Sequence, residues 1–219
     1  MVRTAVATLE QTHAAHRYGA VPVPRLWPGG TVVCIGSGPS LTQDDIDACK
    51  GRARVIAIKN AVELAPWADV LYGAGADAGG STWWSREGAR LTFPGMRYTL
   101  DPQARAWASV LALRGERGLC MDPSALTGGG HSGYQAINLA VHLGAKRIIL
   151  LGYDLQKTDG RDHYFGPHPH GRTPPFNLFL YHFPSIVEPL KAAGVTVINA
   201  SRETALDIFP RLPIEEALA

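Results

Sequence analysis

Charge of either sign is scarce in this chain. Only 18% of its 219 residues are charged, and 21 basic against 19 acidic side chains leave a formal net charge of +2. So small an excess does not by itself point to nucleic acid or a membrane surface as the partner. Cysteine is scarcer still. The three present, Cys34, Cys49 and Cys120, show no C-x-x-C spacing, which argues against a disulfide framework and against a zinc site. Cys34 falls inside an apolar run and reads as a small buried residue. No apolar run reaches the roughly 18 residues of a membrane helix, no secretion leader is evident, and no internal repeat or low-complexity segment appears. What remains is ordinary globular composition, 46% hydrophobic, at a length that suits one domain. The expectation is a soluble, cytoplasmic protein.

Parts of a dinucleotide motif are missing as well. The stretch TVVCIGSGPSL (31–41) begins as a buried parallel strand followed by Gly36, Ser37 and Gly38. The third glycine of G-x-G-x-x-G would fall at position 41, which is Leu41, and Pro39 removes an amide that a phosphate cradle could use. About 20 residues on, where a ribose-binding acid would stand, RVIAIKN offers Lys59 and Asn60 instead. The D-x-D triplet Asp45-Ile46-Asp47 falls within the helix expected after Thr42, and none stands in the strand-end loops to hold a divalent cation against a diphosphate. A redox dinucleotide and a metal-dependent mechanism are both disfavoured.

What is present is a rhythm of strands and helices. Residues 1–28 read as an N-terminal arm, with TLEQTHAAHRYG able to form a helix ending at Gly19, and residues 29–219 as the main domain. Strands are expected at 31–36, 54–59, 68–74, 118–121, 147–154 and 196–201. Helices are expected after Thr42, a natural cap, and over 101–113, capped by Asp101 with Pro102 at the first position. A further helix follows the loop TGGGHSGYQ and ends at Gly144. The last spans 176–194, kinked or split by Pro184 and Pro189. Such alternation implies an α/β fold, a mostly parallel, doubly wound sheet with helices on both faces. Ligands of such sheets sit beyond the carboxyl ends of the strands.

The loops at those ends carry the candidate chemistry. Gly36, Ser37, Gly38 and Ser40 allow close backbone approach and offer hydroxyls near a helix start, or simply form a tight turn. Asn60 supplies donor and acceptor for a base or ribose, or is a turn residue. Asp77 lies among glycines in GAGADAGGSTWW, contacting an acceptor hydroxyl or a metal, or making an Asx turn, and Trp83 and Trp84 read as lid or core packing rather than stacking platforms. In TGGGHSGYQ, Ser132, Gly133 and Tyr134 stand at a helix start suited to an anion; the alternative is an ordinary cap with Ser132 as the capping hydroxyl. After the strand ending at Asp154, the loop DHYFGPHPHGR gathers His163, Tyr164, His168 and Arg172. Histidine suits deprotonation of a hydroxyl nucleophile, and the spacing is not a zinc pattern.

In order and rough spacing, GSGPSL, HSGYQAINLAVHLGAKRIILLGYDL and HYFG followed by a histidine resemble the metal-independent bacterial sialyltransferases of glycosyltransferase family 42. The resemblance extends to their relatives, the motility accessory factors and archaeal 6-hydroxymethylpterin diphosphokinase-like proteins, and most closely to uncharacterised phage and prophage proteins. It spans about residues 31–205 and implies a Rossmann-like, GT-A-like domain that transfers sugar from a nucleotide-activated donor. By that resemblance Gly36, Ser37, Gly38, Asn60, Ser132 and Gly133 would contact the nucleotide. His168, or its rival His163, would be the base. Asp154, Tyr134, Tyr164 and Arg172 join the candidates around the reacting groups. Gln156 stands where the sialyltransferases carry a tyrosine on the donor phosphate, so the donor need not be theirs. No cofactor is then required, and Mg²⁺ would enter only under the alternative of a diphosphokinase or nucleotidyl-type transferase. The acceptor would be a surface glycan or a hydroxymethylated base in phage DNA. A non-catalytic nucleotide-binding protein and a homo-oligomer stay open.

Overall fold

The computed structural model of the chain describes residues 20–75, 83–86, 92–167 and 173–219. Seven strands form one sheet: β1 (Thr31–Ile35), β2 (Arg54–Ile58), β3 (Val70–Tyr72), β4 (Met96–Thr99), β5 (Ser109–Val110), β8 (Arg147–Leu151) and β9 (Thr196–Asn199). Their order is β5-β4-β3-β2-β1-β8-β9, and every pairing is parallel. Two further short strands, β6 (Ala112–Leu113) and β7 (Ala125–Leu126), pair with each other. The helices are α1 (Gln43–Asp47), α2 (Ala61–Leu64), α3 (Trp83–Arg86), α4 (Ser132–Leu143), α5 (Phe176–His182), α6 (Pro184–Ala192) and α7 (Ile214–Ala217).

Alternation along the strands divides the core into two layers, as the period-2 side-chain geometry requires. Val32, Cys34, Ile56, Ile58, Ile148 and Leu150 pack on one face with α4 and α6. Val33, Ile35, Val55, Ala57, Ile149 and Leu151 pack on the other with α1, α2, the Trp83–Trp84 pair and α7. Burial on both faces explains why these strands read as continuous apolar runs. Val23 and Trp27, within the stretch expected as an arm, are buried in the first layer. Cys34 is fully buried, and burial pushes its thiol up to about 12. The segment TLEQTHAAHRYG lies outside the described residues.

Two expected elements differ. Residues 101–113 are not one helix: a 3₁₀ turn over Pro102–Ala106, capped by Asp101 as expected, gives way to β5 and β6. Pairing of Ser109 and Val110 with the edge of β4 outweighs the local helical preference there. Residues 118–121 form no strand. Gly118 is left-handed at φ 84°, and the Asn138 side chain takes the place of a neighbouring strand: its Oδ1 accepts from Cys120 N–H (3.1 Å) and its Nδ2 donates to Cys120 O (2.9 Å). The strand β4 was not anticipated; it is four residues long and only half of them are buried. The proline-bearing helix divides as anticipated, with Pro184 opening α6 and Phe183 buried at the joint.

Candidate functional site

Strand order reverses between β1 and β8, because the chain builds β2 to β5 on one side of β1 and returns to add β8 and β9 on the other. A crevice forms at such a switch point, beyond the carboxyl ends of the strands. A cleft of about 420 Å³ lies there, in the size range of small-molecule sites. Its walls come from the ends of β1 (Gly36–Gly38), β2 (Ile58–Asn60) and β8 (Gly152–Leu155), the start of α4 (His131–Gly133), the loop Asp162, His163 and Phe165, and the segment leading into α5 (Thr173–Phe176, Phe179).

The loop after β1 is held by its own neighbours. A Cβ on Gly36 would lie 2.6 Å from Gly152 O, and one on Gly38 would lie 1.9 Å from Asp154 Oδ1. Both glycines are therefore required by the close crossing of the β1 and β8 ends. The Asp154 carboxylate is saturated within the chain. Its Oδ2 accepts from Ser40 N–H (2.8 Å) and Thr158 Oγ1–H (2.9 Å), and its Oδ1 from Ser40 Oγ–H (2.8 Å). Burial raises its pKa, with the Ser40 and Thr158 hydrogen bonds opposing. Asp154 and Ser40 act as a strut between two strand ends, and Ser40 does not line the cleft.

At the end of β2, Lys59 adopts a left-handed conformation, φ 51°, and so does Leu155 beyond β8, φ 48°. Each costs about 1–2 kcal/mol for a residue with a Cβ, and both line the cleft. Such strain at a cleft motivates a functional reading. Asn60 lines the cleft with its side chain already engaged: Oδ1 accepts from Trp83 Nε1–H at 2.7 Å. Trp83 and Trp84 are buried, Trp84 Nε1–H donates to Gly73 O at 2.9 Å, and Trp83 also lines the cleft.

The start of α4 departs from expectation in one respect. The cap is His131, not Ser132: its Nδ1 accepts from Gly133 N–H at 2.9 Å. That bond fixes the neutral tautomer with the proton on Nε2, and Nε2 is buried without a partner. Burial, with Lys59 and His182 adding repulsion, holds the imidazole down at about 3. Ser132 and Gly133 line the cleft, while Tyr134 is buried in the core, its hydroxyl donating to Gly118 O at 2.8 Å. The glycines before the helix have structural reasons. Gly129 and Gly130 are left-handed, at φ 61° and 78°, and a Cβ on Gly129 would overlap the Tyr134 ring.

The loop after β8 is a small hairpin. Thr158 and Arg161 exchange backbone hydrogen bonds (3.1 and 3.0 Å) around Asp159 and Gly160, both left-handed. This is the type I′ geometry that an Asp-Gly pair favours, a signal legible in TDGR but not used above. Tyr164 clamps the far side, its N–H donating to Ser37 O (3.0 Å) and its hydroxyl to Asn60 O (2.6 Å). Burial, helped by Glu63, raises the Tyr164 hydroxyl pKa, so it stays a donor. Between the clamps, His163 Nδ1 lies 3.0 Å from Ser37 Oγ, and its ring stacks on Phe165 at 4.8 Å.

The cleft thus brings together Gly36, Ser37, Gly38, Asn60, Ser132, Gly133, Asp154 and His163 from the expected set. Ser40, Tyr134, Tyr164 and half-buried Gln156 are not among its lining residues. Asp77, His168 and Arg172 lie outside the described residues. The lining residues that sequence reasoning did not single out as site candidates include His131 and Asp162; both lie in the quoted loops, and only the fold reveals that His131 Nε2 and Asp162 Oδ1 are buried without a hydrogen bond. Among the described residues no group of three or more histidine, cysteine, aspartate or glutamate side chains could hold a metal, and no helix is long and apolar enough to cross a membrane.

A parallel, doubly wound sheet with a cleft at its switch point defines the class, a Rossmann-like α/β domain. Among solved structures, the chain is similar in fold to a MAf glycosyltransferase from Magnetospirillum magneticum AMB-1, with a TM-score of 0.61 and 16% sequence identity. The likeness covers 90% of this chain and 35% of that one, so the chain spans about a third of that protein's length. No family model matches the chain, and no curated protein matches it.

Proposed function

We propose that the protein is a glycosyltransferase that moves a sugar from a nucleotide-activated donor to an acceptor hydroxyl. The observation that carries this reading is the Ser37–His163 pair, 3.0 Å apart, on the wall of a switch-point cleft that also presents Lys59 and the start of α4. The nucleotide lies along Gly36–Gly38, Asn60, Ser132 and Gly133. Donation of the His163 Nδ1 proton to Ser37 Oγ puts the ring's lone pair on Nε2, where it takes the proton of the acceptor hydroxyl. The acceptor oxygen bonds to the sugar's anomeric carbon as the bond from that carbon to phosphate breaks. The departing electron pair stays on the phosphate. Lys59 and the α4 N-terminus at Ser132 meet that charge, the Gly133 amide being held by His131, the part that a divalent cation plays in many phosphate-releasing enzymes. Tyr164 positions the loop rather than reacting. His168 is the rival base by resemblance, and the acceptor is a glycan or a hydroxymethylated base in DNA.

A thermal-shift panel of CMP, UDP, GDP, ADP, ATP and NAD, each with and without Mg²⁺, tests the reading. Stabilisation by one nucleoside mono- or diphosphate, with or without Mg²⁺, supports it and names the donor's base. A shift confined to ATP with Mg²⁺, followed by AMP release, would replace it with diphosphoryl transfer. No shift with any of them would remove the nucleotide from the account.

A further inference from the structure

Among the described residues two carboxylates line the cleft, and they differ in kind. Asp154 accepts three hydrogen bonds from its own chain. Asp162 has a buried Oδ1 with no hydrogen-bond partner, although its side chain keeps 12% exposure on the cleft wall. Its ionic neighbour is Lys157, whose Nζ stands 3.6 Å from Oδ1, beyond hydrogen-bond reach, on a side chain 51% exposed. Oδ1 is thus closed to solvent against Lys157, and no hydrogen bond from a described residue engages Oδ2, the oxygen left for a ligand in the cleft.

The backbone does not leave this carboxylate there by looseness. The type I′ turn at Asp159–Gly160 and the Thr158 bond to Asp154 fix the hairpin on one side of Asp162. The two Tyr164 bonds, to Ser37 O and Asn60 O, fix it on the other. Lys157 already supplies a counter-charge nearby. What the carboxylate lacks is hydrogen-bond donors, and neutral hydroxyl groups supply donors without adding charge.

We propose that Asp162 is the cleft's hydroxyl-recognition residue, accepting hydrogen bonds from a polyol portion of the bound ligand. This deepens the reading of a nucleotide-sugar donor and rests on it for the identity of that polyol, either the transferred sugar or the ribose.

The test compares wild type, Asp162→Asn and Asp162→Ala by calorimetric titration and by melting temperature. The probes are UDP and GDP, their 2′-deoxy counterparts, UDP-glucose, GDP-mannose, and free glucose and ribose. Both variants should melt at or above the wild-type temperature, and affinity for the hydroxyl-bearing probe should fall roughly 10- to 100-fold, as for a hydrogen bond to a charged group. If the ribose is the partner, the loss disappears with the 2′-deoxy probes. If the sugar is the partner, UDP and GDP bind all variants alike and only the nucleotide sugars weaken. Unchanged affinity for every probe, or a clear drop in melting temperature for both variants, would overturn the proposal by making Asp162 idle or structural. Asp162-dependent binding of a free sugar with no nucleotide response would sink the donor reading and keep this one. No response of wild type to any probe would overturn both.

Discussion

Two of the loops that line the cleft, those after β1 and β8, use their polar groups differently. In the loop after β1, the glycines are filled by the crossing β8 backbone, and the Ser40 hydroxyl and amide are taken by Asp154. In the hairpin after β8, Thr158 and Tyr164 anchor the flanks, and of the residues between them Asp162 and His163 line the cleft, His163 with Nδ1 on Ser37 Oγ. The first loop is a joint that sets the geometry of two strand ends. The second is a platform that brings Asp162 and His163 to the cleft wall. A glycine-serine motif is therefore not, by itself, the part of this site that does the recognising.

Four measurements sharpen or break that contrast. The largest effect is expected from the platform: with a demonstrated donor, His163→Ala should lower turnover by about 10²–10⁴-fold, and Ser37→Ala by less. Full turnover in His163→Ala would move the base to His168. Next, the joint should respond in stability. Gly38→Ala drives a methyl into the Asp154 carboxylate and should cost about 3 kcal/mol or more in urea unfolding. Gly160→Ala in the platform meets no atom within 4 Å and should cost about 1 kcal/mol for its left-handed backbone alone. Equal costs at the two glycines would erase the distinction.

The third effect is one of pH. His131 is neutral when folded, its pKa lowered from 6.5 to about 3. The unfolded chain therefore binds a proton that the folded chain refuses, and the stability present above pH 6.5 is lost as pH falls toward 3. The slope from this one group is at most about 1.4 kcal/mol per pH unit. His131→Asn, which keeps a capping side chain, should flatten the acid limb of the stability curve by that amount; an unchanged limb would mean that the imidazole is not held neutral. The smallest effect belongs to the exposed Arg52–Glu215 pair, remote from both loops. Arg52→Ala should change stability by no more than about 0.5 kcal/mol.

Much of the fold was legible in the sequence because β1, β2 and β8 are buried on both faces and must be apolar throughout. Gly144 ends α4 in the left-handed conformation that a glycine there suggests. The unread parts were decided at a distance. Residues 109–110 became a strand by pairing with the edge of β4 and 112–113 by pairing with β7, and at 118–121 the Asn138 side chain supplies the hydrogen bonds a neighbouring strand would. The site divides in the same way. Gly36, Ser37, Gly38, Ser132 and His163 were legible as loops at strand ends and a helix start. The meaning of Gly38 was not, since its neighbour Asp154 is far along the chain. Lys59's left-handed backbone and the unpaired atoms of His131 and Asp162 are properties of the assembled fold. No local pattern carries them.

The central claim is that ligand recognition lies with the platform and the Lys59–α4 side of the cleft. The most direct test is a crystal structure of the protein with the nucleotide or nucleotide sugar that stabilises it most. The account predicts the phosphate beside Lys59 and the start of α4, with a ligand hydroxyl on the Asp162 carboxylate. A ligand bound outside this cleft, or seated on the Gly36–Ser40 loop with Lys59 and Asp162 untouched, would contradict it.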